Sequence, residues 1–280
     1  MTGSEAAPAA ERGSRNLLTR VAAALVLAPA AIAIAWAGGW FWAGLVTMAA
    51  IGLYVEWLMI VGAGRHAGVI ATGTAGLSLA GFCLASGQIE AALVTVALGV
   101  VSVGFLCPGK RVWVAAGFCY AAVALVASIL VRLDATAGFV ALIMVLLIVW
   151  VTDIGGYFAG RGIGGPKLWP RVSPKKTWAG AIGGFIASLA IAAAFAWVGF
   201  GKMGPMLLLG AVLSVASQLG DLFESAVKRR FGVKDSSQII PGHGGLLDRL
   251  DGFVAAIAVA ALIGLLRGGM DGVGRGLMVW

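Results

Sequence analysis

Charged residues make up only 11% of this 280-residue chain, and the acidic ones number twelve. So little charge excludes an ordinary soluble globular protein of this length. Cysteine is nearly missing as well. Cys83, Cys107 and Cys119 lie in or at the edge of apolar runs, with no CxxC pair and no histidine close by to share a metal, so they read as inert packing residues. Long linkers, low-complexity tracts and solenoid repeats are also absent, which leaves no room for a separate soluble domain.

What the chain has in quantity is apolar sequence, 60% hydrophobic with a mean hydropathy of +0.99. A helix that crosses the hydrocarbon core takes roughly 20 apolar residues. On that ruler nine spans are expected, at about 17–37, 40–61, 67–86, 90–107, 112–131, 135–159, 178–199, 204–227 and 252–268. The fold class is therefore all-α, a polytopic integral membrane protein. Arg12, Arg15 and Arg20 before the first run imitate a secretory signal. That run is longer than an ordinary signal core of roughly 7–15 residues and another span follows directly, so a retained anchor is expected behind a disordered leader over 1–14.

Placing the twenty Lys and Arg residues on alternate sides of the nine spans gives an uneven split. One side holds Arg12, Arg15, Arg20, Arg65, Lys110, Arg111 and every basic residue from Arg161 to Lys176 and from Lys228 to Arg249. The other holds Arg132, Lys202, Arg267 and Arg275. The positive-inside rule makes the first side cytoplasmic and puts the N-terminus there. The net charge of +8 then suits anionic headgroups and phosphates. With no basic helix interleaved with aromatics, it is not a nucleic-acid signal.

Because acidic residues are so few, those inside or against a span stand out: Glu56, Asp153, Asp221, Glu224, Asp248 and Asp251. Spacing of four puts Ser217, Asp221 and Ser225 on one helical face, and Asp248 and Asp251 share a face at the entry to the last helix. Carboxylates converging from two helices, backed by hydroxyls, form an oxygen-rich site suited to Mg²⁺, which takes one or two carboxylates and completes its shell with water and phosphate oxygens. In the plainer alternative Asp248 and Asp251 only balance the dipole of the last helix while Asp221 pairs with Lys228 or Arg229.

Between these carboxylates runs Pro241-Gly242-His243-Gly244-Gly245, a turn able to present backbone N–H groups to an anion, with Lys228, Arg229, Arg230, Lys234 and Arg249 around it. His243 either donates to a phosphate or hydrogen-bonds the turn. A second cytoplasmic loop repeats the logic. Asp153 and Tyr157 sit at a helix end, and Gly160-Arg161-Gly162-Ile163-Gly164-Gly165-Pro166-Lys167 and Ser173-Pro174-Lys175-Lys176-Thr177 follow. It is neither a P-loop nor a dinucleotide fingerprint, since Pro166 precedes the lysine, no Ser or Thr follows it, and a membrane helix stands where a strand should. Its plainer reading is a basic anchor loop.

Ser225-x-x-Lys228-Arg229-x4-Lys234-Asp235, then Pro241-Gly242-His243-Gly244-Gly245-x-x-Asp248-Arg249-x-Asp251, closely resemble the signature of the phosphatidate cytidylyltransferases, the CDP-diacylglycerol synthases. Gly220-Asp221-Leu222-x-Glu224-Ser225, the SPKKT element and Glu56-Trp57 extend the resemblance. It implies transfer of a cytidylyl group from CTP to phosphatidic acid in the bilayer, with Mg²⁺ required and a second cation allowed for, at a site facing the cytoplasm from a bacterial-type inner membrane. Residues 15–280 would form a single membrane-embedded catalytic domain. On that resemblance Asp221 and Asp248 are the principal metal ligands, Asp251 a ligand or its support, and Ser225 a supporting hydroxyl. Lys175, Lys176, Lys228 and Arg229 would hold triphosphate and lipid phosphate, and Arg249 the leaving pyrophosphate. Ser173, Lys234, His243, Gly244, Gly245, Asp153, Tyr157 and Arg161 complete the expected substrate contacts. The resemblance also implies a homodimer, and Gly180 with Gly184 offers a small-residue face for helix packing.

Two rivals make different predictions. A cation-coupled transporter would place its carboxylates near the bilayer midplane between pseudo-symmetric halves, whereas these gather at one face. A CTP-dependent lipid kinase, or a cytidylyltransferase for another lipid phosphate, differs only in the substrate that takes the label. A CDP-alcohol phosphotransferase is set aside, because Asp251-Gly252 is followed by Ala255-Ala256 without the arginine and later aspartate that its motif needs.

Overall fold

In a computed structural model, the protein is described over residues 28–237 and 244–280. The expected leader, the first part of the first span, and Pro241, Gly242 and His243 lie outside the described residues. Among the described residues ten α-helices appear in chain order: α1 (Ala28–Ala37), α2 (Gly39–Ile60), α3 (Ala67–Ala85), α4 (Ile89–Leu106), α5 (Arg111–Leu133), α6 (Gly138–Gly162), α7 (Trp178–Trp197), α8 (Met203–Arg230), α9 (Leu247–Gly268) and the short α10 (Val273–Met278). Eight of them, α2 to α9, are long and apolar enough to cross a membrane, and α1 is a shorter apolar helix.

An all-α membrane architecture is thus what the chain builds, with one local exception. Between α6 and α7 the SPKKT segment is extended: β1 (Lys167–Trp169) pairs antiparallel with β2 (Ser173–Thr177). Both strands are short, β2 is polar, and Pro174 within it discourages helix. Thr177 ends the hairpin and starts α7, its hydroxyl accepting the Gly180 N–H at 3.1 Å. A second departure lies at α9, which begins at Leu247 rather than near 252, so Asp248 and Asp251 stand inside its first turns.

The interior is apolar and aromatic, with Trp57, Tyr54, Phe118 and Leu77 fully buried. Buried polar tips find backbone acceptors: Trp42 Nε1 donates to Ser128 O at 3.1 Å, Tyr54 Oη to Val69 O at 3.1 Å and Trp57 Nε1 to Trp113 O at 2.8 Å. The outer surface is apolar too, carrying Phe41, Phe105, Leu208 and Leu266. Water would make that surface an aggregation patch; in a bilayer it is the lipid contact.

Two tight seams frame the functional end. Along α6 and α7 the backbones nearly touch, since a Cβ on Gly180 would sit 2.8 Å from Gly156 O and one on Gly184 would strike Thr152 O. The glycine face expected to serve a helix-to-helix contact is therefore used inside the chain, between α7 and α6. Along α8 and α9 a Cβ on Gly220 would lie 2.6 Å from Asp251 O. Thr152 Oγ1 of α6 hydrogen-bonds Ser214 Oγ of α8 at 3.0 Å and, farther along, Gly210 of α8 meets Ala192 of α7, joining the two pairs.

Candidate active site

At the end of the bundle where α6 and α8 finish and α9 begins, a cavity of about 690 Å³ opens between α6, the hairpin, α7, α8 and α9. Asp153 and Asp221 stand at matching heights in its walls, each nine residues before the end of its helix, at Gly162 and Arg230. Asp251, one turn into α9, joins them. The three carboxylates lie within electrostatic reach of one another, and Lys176 acts on all of them. Lys176 forms an ion pair with Asp221 Oδ2, and Ser225 Oγ donates a long 3.5 Å hydrogen bond to Asp221 Oδ1. Asp153 accepts no hydrogen bond from the described residues, and Asp251 accepts only the N–H of its neighbour Gly252, at 2.7 Å.

Asp248 lines the same cavity in a different state. Its Oδ1 accepts from Lys228 Nζ at 2.6 Å, while its Oδ2 accepts from Ser236 N at 3.1 Å, Ser236 Oγ at 3.0 Å and Gly245 N at 3.1 Å. Lys228, almost fully buried, also lies 2.6 Å from Glu224 Oε2. Asp221 thus pairs with Lys176 from the hairpin rather than with Lys228 or Arg229, and Lys228 is shared by two carboxylates.

Tyr157 and Arg161, on α6, join the cavity wall, with Arg161 Nη1 donating to Tyr157 Oη at 3.1 Å; Lys175 and Arg249 line it as well. Ser173, Arg229, Lys234, Gly244 and Gly245, also expected at the site, do not line the cavity. Ser173 is in β2, Arg229 donates to Val233 O at 2.9 Å and so closes the end of α8, and Lys234 is exposed. Gly244 has φ near +81°, a conformation that favours glycine. Gly245 is packed so closely that a Cβ would lie 2.6 Å from Glu56 Oε2.

The donor chemistry suits a hard divalent cation. Among the described residues no three acidic, histidine or cysteine side chains converge closely enough to hold an ion unaided. Two carboxylates with open oxygens are what Mg²⁺ ordinarily takes when substrate phosphates and water fill the rest of its shell; Asp251 presents such an oxygen, and Asp221 presents one when Lys176 leaves it for a phosphate.

A cavity with acidic and basic walls, at one end of an apolar bundle, matches a polar substrate meeting a lipid. Over residues 18–266 the chain matches the sequence pattern described as the cytidylyltransferase family. The chain belongs to that family. Among relatives of this cytidylyltransferase, a phosphatidate cytidylyltransferase from Brucella suis is 39% identical over 258 residues, covering 90% of this chain and 94% of the relative. One from Brucella melitensis is 40% identical over 259 residues, with the same coverage. One from Staphylococcus aureus is 48% identical over 119 residues, 42% of this chain and 46% of the relative.

Two positions carry more of the site than their sequence context signals. Glu56 is a lone glutamate in an apolar span whose partners lie about 180 residues away, and Glu224 is the i−4 neighbour of Lys228, a spacing that fits their pairing.

Proposed function

We propose that this cytidylyltransferase transfers a cytidylyl group from CTP to phosphatidic acid, yielding CDP-diacylglycerol and pyrophosphate, at a site facing the cytoplasm from a bacterial inner membrane. The observation that carries the reading is the cavity itself. Carboxylates from α6, α8 and α9 face lysines from the hairpin and α8 across one polar space, at the bundle end where the chain's basic loops gather. Residues 15–280 act as one membrane-embedded catalytic unit, since α2 and α9 join at the site's edge.

A phosphate oxygen of the lipid attacks the α-phosphorus of CTP, forming the new P–O bond as the bond from that phosphorus to the β-phosphate oxygen breaks. Pyrophosphate leaves with the electron pair. Such a transfer is served by placement and charge neutralisation rather than by a covalent intermediate. Lys175 and Arg161 sit where they bind phosphate oxygens, Lys176 is withdrawn from Asp221 to do the same, and Arg249 steadies the leaving group. Asp221 and Asp251, with Asp153 beside them, would hold Mg²⁺, which would supply charge neutralisation on the phosphates. Asp248 serves by fixing Lys228 and the start of α9.

The test is incubation of purified protein in detergent with phosphatidic acid, labelled CTP and Mg²⁺, alongside ATP, EDTA and alternative lipid-phosphate arms. Label entering CDP-diacylglycerol only with CTP and metal is the expected result. A folded sample that labels no lipid phosphate sinks the reading, and label on another acceptor alone reassigns the substrate. Independently of turnover, Mg²⁺ should raise the thermal midpoint of the wild type and leave that of Asp221→Asn unchanged.

A further inference from the structure

Glu56 lies in α2, outside the cavity wall and in a helix that contributes no other polar group to the site. It is fully buried. Burying a carboxylate is expensive unless hydrogen bonds replace its water, and here four do. Oε1 accepts from Ser237 Oγ at 2.6 Å and Leu246 N at 2.8 Å; Oε2 accepts from Ser236 Oγ at 3.0 Å and Leu247 N at 2.7 Å.

The donors fall into two groups. Ser236 and Ser237 belong to the segment leaving α8, whereas Leu246 and Leu247 open α9. One carboxylate therefore grips both sides of the stretch that holds the glycine-rich turn. It also takes up two of the N–H groups that a helix start leaves without partners and places negative charge at the positive end of the α9 dipole. The packing is built around the grip. A Cβ on Gly245 would collide with the Ser236 hydroxyl and approach Glu56 Oε2, and one on Gly52, a turn earlier in α2, would lie 2.8 Å from Leu246 Cδ2.

Through Ser236 the grip reaches the cavity. The Ser236 hydroxyl lies 3.0 Å from both Glu56 Oε2 and Asp248 Oδ2, and having one hydrogen it donates to one of them at a time, while its backbone N–H holds Asp248 at 3.1 Å. Asp248 in turn holds Lys228. An unbroken line of polar contacts thus runs from α2 through the edge of the loop to a lysine in the cavity wall.

We infer that Glu56 is a positioning residue for the nucleotide side of the reaction: by clamping Ser236, Ser237 and the first turn of α9, it fixes Asp248 and, through it, sets where Lys228 meets the CTP phosphates. It touches no substrate itself. The inference rests on the cytidylyl-transfer reading, and the wild-type assay separates the two: an inactive wild type overturns that reading, while an active wild type with an indifferent Glu56 overturns only this inference.

The decisive variant is Glu56→Gln, which keeps size and shape but turns one acceptor oxygen into a donor facing other donors. In detergent, with folding checked by thermal midpoint and size exclusion, KM for CTP should rise by roughly tenfold or more, because small displacements of binding groups are amplified in such sites. KM for phosphatidic acid, measured as surface concentration, should stay within about twofold. Glu56→Asp, which restores the charge one methylene short, should recover part of the CTP affinity. A purely structural role would lower kcat in proportion to the folded fraction and leave KM for CTP alone, and that result overturns the inference. Should Glu56→Gln fail to fold, Ser237→Ala removes one donor of the four and should still raise KM for CTP by about threefold; an unchanged value overturns the inference equally.

Discussion

Asp134 at one end of this bundle and the pair Asp153 and Asp251 at the other are treated in opposite ways. At the end away from the cavity, Asp134, in the turn between α5 and α6, has every oxygen engaged. Oδ1 accepts from Thr136 N at 2.9 Å, Thr136 Oγ1 at 2.7 Å and Ala137 N at 3.1 Å, and Oδ2 accepts from Arg275 N at 2.9 Å and Nε at 3.0 Å. Arg132 and Arg267 there donate to the backbone carbonyls of Ala35, Trp36, Gly276 and Val279. At the cavity end, Asp153 and Asp251 take one hydrogen bond between them from the described residues, with Lys176 as the cation they share. Polar groups that satisfy each other lock a structure; polar groups left short of partners are poised for a ligand to complete.

The sharpest way to break this contrast is to neutralise each end in turn. Asp221→Asn and Asp251→Asn should each cut turnover by at least roughly a hundredfold while leaving the thermal midpoint close to wild type, because the side chains removed hold little of the fold. Assay and melting curve on the same preparation decide it, and near-normal turnover in either would remove that residue from the metal site. Asp134→Ala should do the reverse. It strands several donors and one guanidinium at a cost of about 3 kcal/mol, lowering the melting midpoint with KM for CTP unchanged.

A pH series sharpens the same point. Burial works against the charge of Asp134, but the hydrogen bonds from Thr136, Ala137 and Arg275 outweigh it and hold the carboxyl below the usual carboxylate range. A depressed folded value means that the contribution is complete above the unfolded value, about pH 4, and is lost as pH falls below it. The wild type should therefore lose stability more steeply than Asp134→Asn on acidification from about pH 5 to about pH 3, as thermal midpoints against pH would show. The smallest effect is geometric. Gly180→Ala puts a methyl group against Gly156 O and should cost about 1 to 3 kcal/mol by overpacking, with activity falling modestly as Asp153 shifts.

How much of this is legible in the sequence follows from what kind of information each feature needs. Scarce charge makes every acidic residue conspicuous, so Asp153, Asp221, Asp248 and Asp251 stand out from composition and position alone, and hydropathy finds α2 to α8 within a few residues but misses the first turn of α9, where the charged residues lie. Helical spacing also places Ser225 beside Asp221. Partnership across helices is not readable. That Asp221 faces Lys176, that Asp248 is engaged by Lys228 and Ser236, and that Gly180 and Gly184 serve α6 all depend on tertiary placement, which no period in the chain encodes. The hairpin escapes a sequence reading because a basic, proline-bearing loop carries no alternating apolar pattern.

The glycine seams have a mechanical consequence. Helices that touch backbone to backbone have few rotamers to rearrange, so α6 with α7, and α8 with α9, each behave as a stiff jaw. The jaws are tied together at the cavity, where Thr152 meets Ser214, and deeper, where Gly210 meets Ala192. A cavity framed in this way has stiff walls, so the bulk it accepts is set by the spacing of the two helix pairs rather than by the softness of the walls.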